Sequence, residues 1–181
     1  MLKYSVFLLF LVLATLRVDS VAFTFHANND KRKDIAPIKK IKFDVKKASI
    51  GGIRLGVSEK DIIKKLGLPK SRKTGYSPCG ESKYIALTYN GINIELDGIS
   101  ETNKFYVDSI TTSSSRYPTD TGIRTGDLMS KARKIYLPAT SNDGQRGDKF
   151  YFSDPKYNWS GINFKGEKGT VKSISIGVDR C

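Results

Sequence analysis

The stretch GGIRLGVSEKDIIKKLGLP (residues 51–69) carries the clearest structural signals in this chain. Ser58 is a favourable helix N-cap, because its hydroxyl can accept a hydrogen bond from a free backbone N–H of the first turn. Gly67 can adopt the left-handed conformation that ends a helix, and Pro69 prevents the helix from continuing. The stretch therefore predicts a short helix over residues 58–66, with an apolar stripe formed by Ile62, Ile63 and Leu66.

A second stretch, TGIRTGDLMSKARKIYLP (residues 121–138), repeats much of the first. It keeps the Gly-Ile-Arg-x-Gly lead-in and the closing Leu-Pro, and Asp127 takes the N-cap position of Ser58. Tyr136 stands where Gly67 stood, so this helix is expected to end less cleanly.

Further short motifs follow both stretches in the same order. Their aromatic or alternating residues predict strands. We infer an internal duplication in which one short helix precedes about three strands. The paired landmarks are YIALTY (84–89) with KFYF (149–152), GINI (91–94) with GINF (161–164), and VDSI (107–110) with VKSI (171–174).

The predicted strands alternate apolar with polar residues, as in Ile92 and Ile94 against Asn93 and Glu95. Such alternation is typical of an antiparallel sheet covered on one face. We therefore predict an α+β fold of two tandem repeats, each a short helix (or helix pair) packed on an antiparallel sheet of three to four strands. The repeat units would span residues 48–115 and 116–181.

The first 22 residues are typical of a secretory signal peptide. A positive start at Lys3 precedes the apolar run Tyr4–Leu16, and small residues end at Ala22. The run is shorter than the roughly 20 residues of a spanning helix, which disfavours the alternative of an uncleaved anchor. We expect a secreted or periplasmic product with no transmembrane segment after cleavage.

Residues 23–47 are predicted to be a basic linker, since they are polar and rich in lysine and arginine. Within this segment KIKFDVK (Lys40 to Lys46) alternates apolar and charged residues. It predicts a short edge strand whose lysines would discourage pairing with other strands.

The chain is strongly basic, with a formal net charge of +13 at pH 7 and a mean hydropathy of -0.35. The electrostatic field of such a positive charge attracts acidic proteins and anionic envelope polymers. Nucleic acid is the least expected partner of an exported protein. The alternative is a basic surface that serves solubility alone.

Cys79 and Cys181 are the two cysteines of the chain. Because exported proteins usually oxidise an even number of cysteines, we predict a Cys79–Cys181 disulfide. Two free thiols, or a disulfide between molecules, are the alternatives.

The sequence offers little for catalysis. The single histidine, His26, lies in the predicted linker, so a nucleophile–histidine pair is not expected. Glu95 and Asp97 share one strand face, but solvated strand and turn carboxylates explain them better than catalysis does. We predict no catalytic residues, no metal site and no cofactor; a small hydrolase is the distant alternative.

Aromatic residues are better candidates for a binding surface. The loop SDPKYNWSG (153–161) carries Lys156, Tyr157 and Trp159, and Tyr151 precedes it in a predicted strand. Because Tyr and Trp are enriched at interface hot spots, these four residues form the predicted binding site, with Trp159 expected to be exposed. Further aromatics in or beside strands are Tyr84, Tyr89 and Tyr106.

The Gly-x-x-x-Gly lead-in, the helix ending in Leu-Gly-x-Pro and the aromatic strands together resemble the SmpA/OmlA-type envelope domain. They also resemble the tandem-repeat β-lactamase inhibitor protein fold. The resemblance extends over roughly residues 48–178, in two copies. The motif is matched by Gly56, Leu66, Gly67 and Pro69, which are folding residues. The resemblance implies a helix-backed antiparallel sheet that binds other proteins. The chain departs from the envelope domain in lacking a lipid-anchoring cysteine near the predicted cleavage site.

We therefore expect a secreted or periplasmic non-enzymatic protein-binding module, inhibitor-like or envelope-associated. The alternative function is binding of an anionic envelope polymer through the basic surface.

Overall fold

The computed structural model describes residues 41, 43–77, 82–99, 104–136, 148–157 and 159–178. The predicted signal peptide, most of the basic linker and both cysteines lie outside these residues. The boundaries proposed for the leader, the linker and the two repeat units therefore stay predictions.

Nine strands and two helices make up the described part of the chain. In chain order the elements are β1 (Ser49–Ile50), β2 (Ile53–Arg54), α1 (Glu59–Leu66), β3 (Ser71–Tyr76), β4 (Lys83–Tyr89), β5 (Ile92–Ile99), β6 (Lys104–Thr112), α2 (Met129–Ile135), β7 (Lys149–Ser153), β8 (Ser160–Glu167) and β9 (Thr170–Val178).

Seven of these strands form one antiparallel sheet in the order β3-β4-β5-β6-β9-β8-β7. The strands β1 and β2 form a separate two-stranded sheet. The centre of the large sheet is the pairing of β6 with β9, in which Ile110 lies opposite Ile176. Sequential hairpins then extend the sheet on both sides of this pair.

The predicted α+β class with tandem helix-on-sheet repeats is wrong. The described chain is mostly β-structure, and its helices have only 8 and 7 residues. The strands assigned to separate repeat units join in one seven-stranded sheet. The error has a physical reason: apolar alternation indicates which face of a strand is buried, but it does not indicate which strands are neighbours.

The first helix follows the sequence prediction closely. Ser58 is its N-cap, with the side-chain oxygen accepting a hydrogen bond from the Asp61 backbone N–H at 3.3 Å. Gly67 ends the helix at a φ of 81°, and its N–H donates to the Ile63 carbonyl. The Ser58 hydroxyl also donates to the Asp61 carboxylate at 2.6 Å, which supports the first turn.

The second helix begins differently from its prediction. Its N-cap is Leu128, which makes no side-chain capping bond. Asp127 accepts hydrogen bonds from the Arg124 backbone N–H at 2.9 Å and from Lys131 Nζ at 2.8 Å. The prediction that Asp127 caps the helix is therefore wrong. Its carboxylate stabilises the turn before the helix.

The predicted strand over Lys40 to Lys46 is not a regular strand in the part described. Ile41 forms an isolated parallel bridge to Tyr136, and residues 45–47 form a turn. Burial follows the apolar pattern at Phe43, which is buried, and at Val45, which packs against the core. It does not follow the pattern at Ile41, which is 37% exposed.

The core lies between one face of the large sheet and the helices, the small sheet and the segment around Phe43. Tyr136 sits among aromatic rings, with centroid distances of 5.2 Å to Phe152 and 5.9 Å to Phe164. Other fully buried side chains of the core include Ile50, Ile53, Ile62, Ile85, Leu87, Ile94, Leu96, Ile110, Ile162 and Ile174.

Candidate binding surface

The loop between β7 and β8 is organised around the carboxylate of Asp154. This side chain is only 3% exposed. Its Oδ1 accepts hydrogen bonds from the backbone N–H groups of Lys156, at 2.7 Å, and Tyr157, at 3.0 Å. Ser160 donates to the Tyr157 carbonyl from both its N–H, at 2.8 Å, and its hydroxyl, at 2.9 Å. These hydrogen bonds stabilise the turn at residues 154–157 and connect it to the start of β8.

The other oxygen of Asp154 reaches a distant part of the chain. Oδ2 accepts a hydrogen bond from the Val45 backbone N–H at 2.7 Å. Because Lys46 follows Val45 directly, this bond brings the ammonium of Lys46 beside the aromatic loop. Burial alone would raise the pKa of Asp154, but the hydrogen bonds from Val45, Lys156 and Tyr157 outweigh it and lower that pKa below its ordinary value.

Tyr157 and Trp159 form an aromatic pair on the loop. Their ring centroids are 5.4 Å apart and their planes are inclined by 59°. Trp159 is 50% exposed, in line with the expectation from sequence, and Tyr157 is partly exposed. Half of a large indole therefore faces solvent, beside a turn that Asp154 stabilises through hydrogen bonds.

Two lysines flank this aromatic pair. The Nζ atoms of Lys46 and Lys156 lie 5.6 Å and 5.4 Å from the centroid of the Tyr157 ring. A hydrogen bond with Lys46, followed by the positive charge of Lys156, lowers the pKa of the Tyr157 hydroxyl. The surface is therefore both aromatic and positively charged.

An apolar cavity of about 310 Å³ opens beside the aromatic pair. Gly56 lies in its wall, where its N–H donates to the Val107 carbonyl at 2.7 Å. A side chain of moderate size from another molecule could enter this cavity next to the indole. The lining residues are Val45, Lys46, Leu55, Gly56, Val107, Tyr157 and Trp159.

A larger cavity of about 530 Å³ lies against the same loop and shares Lys46, Lys156 and Tyr157. Its walls combine apolar groups such as Phe43 and Tyr136 with carboxylates. One of these is Asp120, whose burial raises its pKa. Lysines and carboxylates thus line this cavity together. Its charge therefore favours anionic ligands less clearly than the two lysines of the aromatic surface do.

Two features of the described residues concern chemistry other than binding. Among these residues, no three or more His, Cys, Asp or Glu side chains are grouped so as to hold a metal ion. Burial raises the pKa of the Tyr136 hydroxyl to about 12, and this group shares a 3.0 Å hydrogen bond with Thr121. Tyr136 is therefore a neutral structural tyrosine at ordinary pH.

The structure brings together three of the four predicted binding residues, namely Lys156, Tyr157 and Trp159. Tyr151 lies elsewhere, beside a shallow cavity of about 250 Å³ that it shares with Asn163 and Ser175. Its ring packs so closely over Gly161 that a Cβ atom there would lie 2.5 Å from it. Tyr89, a further aromatic considered from sequence, is buried, and its hydroxyl donates to the Gly67 carbonyl at 3.1 Å.

Sequence reasoning missed the residues contributed by other segments, namely Val45, Lys46, Leu55, Gly56 and Val107. The alternating pattern around Lys46 predicts an edge strand and not a contact with the aromatic loop. No local pattern indicates that this segment meets a loop more than a hundred residues away.

In the part of the chain that the structure describes, no helix is long and apolar enough to cross a membrane.

Comparisons with known proteins give little further information. No family model and no curated protein match the chain. Among solved structures, the uncharacterized protein YfeY from Escherichia coli is similar, with a TM-score of 0.44 and 15% sequence identity, over 77% of this chain and 99% of that chain. This likeness is too weak to support an argument, so the resemblance to the SmpA/OmlA-type domain and the β-lactamase inhibitor fold stays a prediction.

Proposed function

We propose that this chain is a non-enzymatic protein-binding module, secreted or periplasmic, whose contact surface is the Tyr157–Trp159 pair with Lys46 and Lys156. One observation carries the proposal: Trp159 is half exposed while the loop that holds it is fixed by the buried Asp154. A fixed aromatic side chain loses little conformational entropy when a partner covers it, so it can contribute much of the binding energy.

The apolar cavity supports a protein partner in particular. Its mouth lies beside Trp159, and its walls include Val45, Leu55 and Val107. Interface hot spots are typically aromatic anchors next to pockets filled by a partner side chain, within a polar rim. Lys46 and Lys156 supply such a rim here, and their charge favours a partner with carboxylates at the matching positions.

The experiment measures affinity for an isolated partner. The tagged mature chain is used to capture proteins from the native envelope, and the recovered partner is then titrated by calorimetry. Trp159→Ala should weaken binding by about 2 kcal/mol, a factor of about 30, with an unchanged melting temperature. A matched control is Leu128→Ala, which removes a side chain that is 62% exposed next to Thr170, at the opposite end of β8 from Trp159; it should bind like the wild type.

The results also separate this function from its alternative. Binding of an anionic polymer would depend on the basic segment 23–47, would ignore Trp159→Ala and would collapse between low and moderate salt. That combination would overturn the proposal. A large drop in the melting temperature of Trp159→Ala would instead assign the indole to the fold.

A further inference from the structure

The strand β3 forms one edge of the large sheet and pairs only with β4 among the described residues. In the register of this pair, Gly75 faces Tyr84, and the Ser77 N–H donates to the Ser82 carbonyl at 2.9 Å. Hydrogen-bonded pairs alternate along an antiparallel ladder, so the odd-numbered residues of β3 bond to β4. The backbone N–H and C=O groups of Arg72, Thr74 and Tyr76 therefore point away from the sheet.

The side chains along this edge are positively charged. Lys70, Arg72 and Lys73 are exposed, and the described stretch 68–77 contains no acidic residue. Arg72 contacts Glu59 of α1, with Nε 2.7 Å from Oε1. Among the described residues, Lys70 and Lys73 have no ion-pair partner, so they carry the uncompensated charges of this stretch.

Large apolar side chains stand at both ends of the edge. Leu68, just before β3, is 84% exposed, and Tyr76, its last residue, is 68% exposed. Tyr76 lies opposite Lys83, whose Nζ is 6.0 Å from the ring centroid. An edge kept only to repel other strands needs lysines but does not need exposed apolar groups at its two ends.

We propose that β3 is a docking edge for an extended acidic segment of a partner protein, which adds to the sheet as an eighth strand. The outward groups of Arg72, Thr74 and Tyr76 would bond to its backbone, and the lysines would attract its carboxylates. A second copy of this chain fits poorly, because it would bring an equally basic edge. This surface is distinct from that of Trp159, so the two proposals stand or fall separately.

The probe is a capped eight-residue peptide of alternating Glu and Val, added to the full chain. Amide hydrogen exchange followed by NMR should slow at least threefold at Arg72, Thr74 and Tyr76, and stay unchanged at Lys73 and Gly75, which already bond to β4. A peptide of alternating Lys and Val should produce no protection. Higher salt should weaken binding of the acidic peptide.

A pair of variants at one position tests the backbone contact. Thr74→Pro removes an outward N–H, which an edge strand tolerates, and should weaken peptide binding at least tenfold. Thr74→Val keeps the N–H and the side-chain shape, and it should bind like the wild type. If Thr74→Pro does not fold, the exchange pattern of the wild type decides the question.

Three outcomes would overturn the proposal. The first is unchanged exchange at the three outward amides, and the second is equal binding by the Pro and Val variants. The third is self-association of the wild type that Thr74→Pro abolishes, since the edge would then serve a second copy of this chain.

Discussion

Asp154 Oδ2 accepts a hydrogen bond from the Val45 backbone N–H at 2.7 Å, joining two residues 109 positions apart. The same carboxylate holds the backbone of Lys156 and Tyr157. A single buried side chain thus fixes the aromatic loop and brings the segment that carries Lys46 to it. The candidate binding surface exists because of this contact.

Replacement of Asp154 should therefore destabilise the fold. Asp154→Ala leaves three backbone N–H groups without their acceptor, and we expect a loss of about 2–4 kcal/mol in the free energy of unfolding. Urea denaturation measures it. Glu167→Ala is the control, because its ion pair with Lys172 at 3.6 Å is exposed and should be worth less than about 0.5 kcal/mol. Similar midpoints for the two variants would contradict the role given to Asp154.

The same carboxylate should make stability depend on pH. The pKa of Asp154 is lowered in the folded protein relative to its ordinary value of 3.8. Its contribution is therefore complete above that ordinary value and disappears as the pH falls through the lower folded pKa. Asp154→Asn should show a smaller loss of stability than the wild type as the pH falls from 5 to 2. Parallel curves for the two proteins would refute this prediction.

The first helix should depend on Ile62 more than on Leu66. Ile62 is fully buried, whereas Leu66 is only partly buried against the core. We expect Ile62→Ala to cost about 2–5 kcal/mol and Leu66→Ala clearly less. Lys64→Ala, at an exposed position, should cost less than about 0.5 kcal/mol. Chemical denaturation of the three variants gives the order, and a Leu66 effect as large as that of Ile62 would show tighter packing at the end of α1.

Tyr157 should ionise at lower pH than an ordinary tyrosine. Its hydrogen bond with Lys46 and the charge of Lys156 favour the phenolate, which lowers the pKa from 10.0. Ultraviolet titration of the wild type, with Tyr157→Phe to assign the transition, measures this pKa. Lys46→Ala should raise it again, and a pKa unaffected by that change would place Lys46 away from the hydroxyl in solution.

Cys79 and Cys181 lie outside the described residues, and their disulfide stays a prediction from the sequence. Intact-mass measurement with alkylation, before and after reduction, tests it. We expect thiols to become alkylated only after reduction. Two labelled thiols in the untreated monomer would refute the pairing.

Much of the local structure follows from the sequence alone. Ser58 and Gly67 determine where the first helix begins and ends, because a capping hydroxyl and a left-handed glycine act on their own turn of backbone. Alternating apolar residues likewise identified strands such as β5, since each buried side chain faces the core two residues from the next. The polar, turn-rich context of Trp159 also predicted its exposure correctly.

Other features required the tertiary structure, because they depend on contacts between distant segments. The pairing of β6 with β9 joins the hairpins from β3 to β9 into one seven-stranded sheet, and no local sequence pattern indicates that the two predicted sheets of three to four strands are continuous. Tyr151 was grouped with Tyr157 and Trp159 by its nearness in sequence, but it lies beside a different cavity. Lys46 joins the binding surface because the carboxylate of Asp154 holds Val45, a long-range hydrogen bond that forms only when the two segments have been brought together by folding.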